Sequence, residues 1–143
     1  MHINPDLLKI TDCLYRLSVK ALIIENDRLL VVKEKEGWWG IPGGGVDYGE
    51  EIIPALKREL NEEIGVPIDK IKVNPAIKLI TTGTFIDGIP KANLYYQVDI
   101  PGDAMRITDE NMETWWVSAE ELQEIDKGPS TTEVAKHILK ILS

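Results

Sequence analysis

One amphipathic segment, residues 50–64, constrains the fold more than any other part of the sequence. Its large aliphatic residues recur at intervals of three and four, which places them on one face of an α-helix. Gly65, Val66 and Pro67 then supply a left-handed cap, an apolar contact and a residue that cannot continue the helix. Pro54 fits only within the first helical turn, where no intrahelical N–H bond is lost. The apolar positions are Ile52, Ile53, Leu56, Leu60 and Ile64.

Strands and further helices are predicted on both sides of this helix. Residues 38–46 are expected to form a glycine-rich connector with a short strand at its centre. Ser118 and Ser130 are each followed three residues later by glutamate, which is the capping-box spacing that opens a helix. The loose alternation of elements predicts an α/β fold, a mixed β-sheet with helices on both faces. The predicted strands are residues 14–25, 28–33, 72–85, 91–100 and 113–117.

Composition limits the classes of partner and the number of domains. The 143 residues suit a single domain, residues 1–143, with one core. A formal net charge of −8 argues against nucleic-acid polymers and anionic membranes as main partners. No apolar run approaches the ~20 residues needed to cross a bilayer. The single cysteine, Cys13, cannot form an internal disulfide, so we expect a buried, inert thiol and a cytoplasmic protein.

The side of the helix opposite the apolar stripe carries three acids. Glu59, Glu62 and Glu63 have the spacings i, i+3 and i+4, so their carboxylates share one patch near the end of the helix. The helix dipole favours cations at that end, so the patch is unfavourable by itself. A bound divalent cation resolves the conflict, because hard cations prefer oxygen ligands. A solvated acidic face remains the alternative explanation for these three residues alone.

A run of three glycines precedes the helix. Gly43, Gly44 and Gly45 follow Pro42, and successive glycines let the backbone approach a ligand closely. A plain tight turn would need only one or two glycines. The glycine run and the acidic face therefore look like two walls of one site.

Together these residues resemble the signature of the Nudix hydrolases. That signature has a glycine, five residues, a glutamate, seven residues, and then Arg-Glu-aliphatic-any-Glu-Glu-any-Gly-aliphatic. The chain has Gly44, Glu50 and then Arg58-Glu59-Leu60-Asn61-Glu62-Glu63-Ile64-Gly65-Val66, and every fixed position matches. The resemblance implies a Nudix-type α/β/α sandwich.

The resemblance also implies a metal site. Glu59, Glu62 and Glu63 would be metal ligands, with the backbone carbonyl of Gly43 completing the set, and Mg²⁺ would be the ion, with Mn²⁺ possible. Arg58 would orient the acids and Glu50 would support it, since ligating carboxylates need neighbours to hold them. The implied reaction is attack of a water on phosphorus, with a carboxylate accepting the proton of that water.

The base that accepts this proton is left open between two regions. Glu59 or Glu63 on the helix is one option. Another is an acid from the loop before the last strand, where Asp109, Glu110 and Glu113 are available. Glu113 is favoured there because it precedes Trp116-Val117 by three residues, where relatives often carry an acid. A simple surface acid is the alternative for Glu113. The catalytic residues predicted are therefore Glu59, Glu63, Glu113 and Arg58.

Several residues outside the signature have both a structural and a binding interpretation. Two tryptophan pairs, at 38–39 and 115–116, should each point one ring to the core, and an outward ring near the site could stack on a base. Residues Asn93, Tyr95 and Gln97 alternate on one strand face and line either a substrate pocket or a half-exposed surface. His2 and His137 are expected to face solvent.

The signature specifies pyrophosphate chemistry but not the attached group. The expected substrate is a nucleoside diphosphate linked to another moiety. The absence of other subfamily markers and the compact size favour conversion of a nucleoside triphosphate to a monophosphate and pyrophosphate. An ADP-ribose or nucleotide-sugar pyrophosphatase and a non-catalytic nucleotide-binding module of the same fold are the alternatives. A homodimer is possible, as is common in the family.

Overall fold

A computed structural model describes residues 5–9, 14–84, 88–110 and 112–142. The strands are β1 (Arg16–Leu22), β2 (Ile24–Glu25), β3 (Arg28–Lys33), β4 (Trp39–Gly40), β5 (Gly43–Gly45), β6 (Lys72–Thr84), β7 (Pro90–Asp99) and β8 (Thr114–Val117). The α-helices are α1 (Ile52–Ile64), α2 (Ala119–Glu124) and α3 (Pro129–Leu142), and two short 3₁₀ helices cover Pro5–Lys9 and Ile68–Lys70.

The strands form two sheets, each four-stranded. The first has the order β5-β1-β7-β6 and is mixed, because β1 and β7 run parallel whereas the other pairs are antiparallel. In the second, β3 pairs antiparallel with β2, β4 and β8. The predicted mixed sheet is confirmed. The second sheet was not predicted, because it depends on which strands pair.

Helices cover both faces of the strand layer. The apolar face of α1 packs on one side, against Val19 and Ala21 of β1 and Leu94 and Tyr96 of β7. On the other side, α2 and α3 bury Leu122, Val134, Ala135 and Ile138 against Leu22 and Tyr95. Strand β3 contributes to both cores, with Leu30 and Val32 to the first and Leu29 and Val31 to the second. The α/β/α sandwich is therefore confirmed.

Helix α1 follows the predicted pattern with a shifted start. It begins at Ile52 rather than at residue 50, and Glu51 is its extended N-terminal flank. Pro54 lies in the first turn, and the first backbone bond, from the N–H of Ala55 to the carbonyl of Glu51 at 3.0 Å, follows it. Gly65 ends the helix with a left-handed φ of 70°. The proline and glycine predictions are confirmed.

Three local predictions need correction. The predicted strand 14–25 is two strands, because the chain leaves the first sheet after Leu22 and enters the second at Ile24. Helix α3 begins at Pro129 and not at Ser130, since the fixed φ of proline suits the first helical position. The strand expected within 38–46 is two short strands, β4 and β5, in different sheets. The capping box at Ser118 is confirmed.

The remaining sequence predictions concern Cys13, the two histidines and membrane-spanning helices. Cys13 and His2 lie outside them. His137 is exposed on α3, as expected. Among the helices that the structure describes, none combines the length and apolar character needed to span a membrane.

Candidate active site

The glycine strand β5 lies directly against the acidic side of α1. Its N–H at Gly43 donates to Oε2 of Glu63 at 3.4 Å. A Cβ on Gly44 would lie 2.5 Å from the Glu59 carboxyl carbon, and a Cβ on Gly43 would overlap the Val19 carbonyl oxygen. Gly43 also has a φ of 139°, which L side chains rarely adopt. Glycine at position 44 thus lets Glu59 approach the strand backbone, and glycine at position 43 lets β5 lie close to β1.

Glu59 and Glu63 are the two predicted acids that this contact brings together. Glu63 is 7% exposed, and burial raises its pKa well above the usual range, against the lowering effect of the Lys20 charge. The negative charges of Glu59 and Glu34 raise that pKa further. Burial also raises the pKa of Glu59, whereas its contacts with Arg58 oppose the rise. The site therefore concentrates negative charge in a poorly hydrated position.

Arg58 connects the remaining acids of the signature. Its guanidinium donates to both oxygens of Glu50, at 2.7 and 2.9 Å, and to the Gly45 carbonyl at 3.2 Å. These bonds hold the pKa of Glu50 at about 2. Arg58 also donates to Glu59 at 3.1 Å and to Glu62 at 3.2 Å. The side chain of Glu62 is 45% exposed, so it lies at the rim of the acidic face rather than inside it.

The donor set fits a hard divalent cation. The groups at the β5–α1 contact are carboxylate and backbone oxygens, which such ions prefer. The negative charges of Glu59 and Glu34 act on Glu63, and Lys20 is the opposing positive charge. Within the described ranges, no three His, Cys, Asp or Glu side chains already stand in a metal-binding arrangement. Ligation by Glu62 together with Glu59 and Glu63 would require Glu62 to turn away from Arg58.

The loop before β8 borders the same region. A cavity of about 730 Å³ is lined by Glu63 and by Asp109, Glu110 and Glu113, the three loop acids considered from the sequence. Glu113 is exposed, and its backbone carbonyl accepts from the N–H of Lys33 at 2.9 Å. The structure thus places Glu113 at the edge of the acidic site, in the lining of a cavity that it shares with Glu63.

A second cavity, of about 200 Å³, opens on the other side of β5. Two of the alternating strand residues, Asn93 and Tyr95, line it, as do Ser18 and Lys20 from β1. Asn93 donates to the Thr81 hydroxyl at 3.3 Å, and that hydroxyl lies 3.4 Å from the Tyr95 hydroxyl. We call this space the strand cavity. Its lining also includes Glu34, Trp38, Gly44, Gly45, Lys91 and Thr131.

The four tryptophans divide between packing and this cavity. Trp116 packs against the core under α1, whereas Trp39 and Trp115 pack against the other core with ring centroids 5.4 Å apart. The prediction that at least two would serve the core is confirmed, whereas the expected outward ring in the pair 115–116 is wrong, because those two rings face opposite cores. Trp38 lines the strand cavity, where it contacts Gly128 so closely that a Cβ there would lie 2.7 Å from the indole nitrogen.

Sequence reasoning missed Lys20, Glu34 and Thr131. Their separation in the chain hides their proximity, although alternation in β1 does place Lys20 on the face opposite Val19. The register Lys20↔Gly43 and Lys20↔Tyr95 carries the lysine to the glycine edge. No sequence pattern marks Glu34 or Thr131, which reach the cavity from a turn and from the start of α3.

Comparison with known proteins decides the family. The model of the NUDIX domain matches residues 14–138. The chain belongs to the Nudix family. The family match therefore extends well beyond residues 44–66 and covers most of the chain.

Relatives with assigned names are similar over part of their length. An RNA pyrophosphohydrolase of Ruthia magnifica is 44% identical over 62 residues, which are 41% of this chain and 34% of that protein. The nucleoside triphosphatase NudI of Escherichia coli K12 is 33% identical over 101 residues, covering 66% of this chain and 72% of NudI. A Nudix hydrolase of Bacillus subtilis, YvcI, is 32% identical and matched over 45% of its length. The matched segments thus span less than half of two of these three relatives.

Solved structures share the Nudix fold across the whole domain. A MutT protein from Methanosarcina mazei has a TM-score of 0.73 at 21% identity, covering 92% of this chain and 96% of that one. An ADP-ribose pyrophosphatase from Streptococcus suis has a TM-score of 0.67 at 18% identity, covering 90% of each chain. At these identities the likeness concerns the fold.

Proposed function

We propose that this Nudix protein is a divalent-metal-dependent pyrophosphohydrolase that converts a nucleoside triphosphate to a monophosphate and pyrophosphate. One observation carries the proposal: a side-chain-free strand, β5, separates the half-buried Glu59 and the buried Glu63 from the polar strand cavity. A nucleotide lying across this edge would place its phosphates on the acids and its nucleoside in the cavity. The similarity to a nucleoside triphosphatase over 72% of that protein supports the same choice.

The acidic face would hold the metal. Glu59 and Glu63, with the Gly43 carbonyl and with Glu62 released from Arg58, would supply its oxygen ligands, and Mg²⁺ is the proposed ion. When bound, the ion supplies charge neutralisation on the phosphates and lowers the pKa of a ligated water. Arg58 positions the ligands, since it bonds Glu59 and Glu62 at one end and grips Glu50 and Gly45 at the other.

Proton transfer and leaving-group stabilisation fall to residues around the cavities. Glu113 is proposed as the base: it would take a proton from the attacking water as the new oxygen–phosphorus bond forms. The bond between the bridging oxygen and phosphorus breaks, and pyrophosphate leaves with the electron pair. Lys20, whose charge acts on Glu63 and Glu34, would offset phosphate charge at the glycine edge. In this arrangement Glu113 would position the attacking water, and Lys20 would stabilise the charge of the phosphates.

The strand cavity would hold only part of the substrate. Its volume of about 200 Å³ is below the ~300–1,000 Å³ of pockets that enclose a whole small-molecule ligand. The Trp38 ring offers a stacking surface, and Asn93 and Tyr95 offer polar groups at its floor. This combination suits a planar base with hydrogen-bonding edges.

Product analysis tests the proposal. The protein is incubated with Mg²⁺ and separately with each of the four ribonucleoside triphosphates, ADP-ribose, a nucleotide sugar and a 5′-triphosphorylated oligoribonucleotide, and the products are separated by ion exchange. We expect nucleoside monophosphate and pyrophosphate from a triphosphate, no product with a chelator, and a rate lowered at least about a hundredfold in Glu63→Gln. Glu124→Gln, an exposed acid on α2, is the matched control and should retain activity.

Other outcomes would redirect or reject the proposal. Cleavage confined to ADP-ribose, the nucleotide sugar or the 5′-triphosphorylated oligoribonucleotide would replace the substrate class. Release of phosphate and a diphosphate would contradict the bond assigned. Thermal stabilisation by a nucleotide without turnover would identify a binding module instead.

A further inference from the structure

The side chain of Glu34 lies between the two cavities. It lines both the strand cavity and the larger cavity that contains Glu63 and Glu113. The residue is half-buried. Over the ranges that the structure describes, no donor lies within hydrogen-bond or ion-pair distance of the Glu34 carboxylate. Its oxygens are accessible from the cavities, so a ligand that enters them can donate hydrogen bonds to this carboxylate.

Two hydrogen bonds hold the backbone of Glu34. The N–H of Glu34 donates to the carbonyl of Trp38 at 2.8 Å, and the N–H of Gly37 donates to the carbonyl of Glu34 at 3.0 Å. Its side chain packs on Gly40, where an added Cβ would lie 2.7 Å from Oε1. The turn that follows β3 therefore holds Glu34 at the wall of the strand cavity, which Trp38 also lines.

The charges around Glu34 favour a neutral donor over an anion as its partner. Burial raises the pKa of the carboxyl, Lys20 opposes this rise, and the charges of Glu36 and Glu110 add to it. Glu63 lies close enough that the Glu34 charge raises its pKa as well. The negative charges of Glu36 and Glu110 would repel a phosphate at this point. Hydroxyl groups, in contrast, would donate to the carboxylate without adding charge.

From this position we propose that Glu34 binds the ribose of the substrate, accepting hydrogen bonds from its 2′- and 3′-hydroxyls, and so makes the enzyme selective for ribonucleotides. This inference rests on the proposed function. With phosphates at Glu59 and Glu63 and a base beside Trp38, the sugar is the part of a nucleotide that spans the boundary Glu34 occupies. Carboxylates recognise ribose hydroxyls in this way in dinucleotide-binding folds.

Binding of matched nucleotide analogues tests the inference without turnover. For the base preferred in the product assay, or adenine if none is turned over, non-hydrolysable α,β-methylene triphosphates are prepared with ribose, 2′-deoxyribose and 3′-deoxyribose. Their Kd values are measured by titration calorimetry with Mg²⁺ on the full chain. We expect at least one of the two deoxy analogues to bind the unchanged protein at least about tenfold more weakly than the ribose analogue, since the bonds involve a charged acceptor.

Variants separate this role from a general effect of charge. Glu34→Gln and Glu34→Ala should bind all three analogues with Kd values within about threefold of one another, so the discrimination is lost. Glu124→Gln, remote on α2, should keep the full discrimination. Thermal unfolding checks that each variant is folded.

Two results would overturn the inference. One is an unchanged ratio of ribose to deoxyribose Kd values in both Glu34 variants, whatever their overall affinity. The other is equal binding, or no binding, of the three analogues by the unchanged protein. Hydrolysis of triphosphates without sugar discrimination would reject the role of Glu34 and leave the proposed function standing. Sugar discrimination in binding without hydrolysis would support the role of Glu34 and reject the proposed function.

Discussion

At the scale of single residues, Arg58 is the hub of the site. Its planar guanidinium binds both oxygens of Glu50 and still reaches Glu59 and the Gly45 carbonyl. Lysine cannot reproduce this fork, because its ammonium is a single point of charge. The resemblance to the family signature implied a supporting role for this arginine, and its hydrogen bonds to the acids give the physical reason for that role.

Replacing Arg58 with lysine should therefore destabilise the protein as well as weaken the site. We expect Arg58→Lys to lower the free energy of unfolding by about 1–3 kcal/mol, since bonds between charged groups in a half-buried position are lost. The control is Arg28→Lys, which changes one exposed ion pair to Glu121 of 2.9 Å and should cost at most about 1 kcal/mol. Urea unfolding measures both. Equal losses in the two variants would contradict the central role of Arg58.

Glu63 should make the stability of the metal-free protein depend on pH. Burial raises its pKa, so the folded protein holds this proton more tightly than the unfolded chain does. Its stabilising contribution is then complete below the unfolded pKa of about 4.3 and is lost as the pH rises through the folded pKa. With a chelator present, stability should fall with rising pH more steeply in the natural protein than in Glu63→Gln.

Urea unfolding in chelator between about pH 5 and pH 8 checks this behaviour. The stability of Glu63→Gln relative to the natural protein should increase across that window. Adding Mg²⁺ at the upper end should stabilise the natural protein more than the variant, because an ion that binds the folded state shifts unfolding by mass action. A difference between the two proteins that stays constant with pH would show that Glu63 keeps an ordinary pKa.

At the scale of elements, the glycine strand β5 and helix α1 form the site by contact. Backbone atoms of β1 crowd Gly43, whereas the flexible end of Glu59 crowds Gly44. The same added methyl group should thus have different effects at neighbouring positions. A backbone clash cannot relax without moving a strand, but a carboxylate can swing aside.

Alanine substitutions test this difference. Gly43→Ala should lower the free energy of unfolding by more than about 3 kcal/mol, since it combines overlap with a strained φ. Gly44→Ala should cost less in stability yet reduce turnover, because it displaces Glu59. Gly88→Ala, which has a φ of 73° and open space around it, is the control and should cost about 1–2 kcal/mol. A stable Gly43→Ala protein would show that β5 does not need its close approach to β1.

The elements that depend on local patterns were predictable from the sequence. The stripe, proline and glycine of α1 and the capping box of α2 are local signals, and the structure contains all of them. The division of residues 14–25 between two sheets was not predictable, because the alternation continues through Ile23 while the pairing partner changes from β7 to β3. Pairing with distant strands, not local propensity, sets that break.

At the scale of the whole molecule, the two helix layers give β5 two different sides. One side meets the acids of α1, and the other opens into the strand cavity near the start of α3. The family signature indicated the first side, since its residues are contiguous. The second side draws on β1, β7, α3 and the turn after β3, so its composition follows only from the tertiary fold. That is why Lys20 and Glu34 were missed and Asn93 and Tyr95 remained ambiguous.

Counting bound Mn²⁺ by electron paramagnetic resonance tests the central claim most directly. Mn²⁺ is titrated into the natural protein, Glu63→Gln and Glu124→Gln, each with a non-hydrolysable triphosphate. Retention of the ion by oxygen ligands at the β5–α1 contact predicts saturable binding that weakens at least about tenfold in Glu63→Gln and not in Glu124→Gln. Equal Mn²⁺ binding in all three proteins would contradict the assignment of the acidic face of α1 as the metal site.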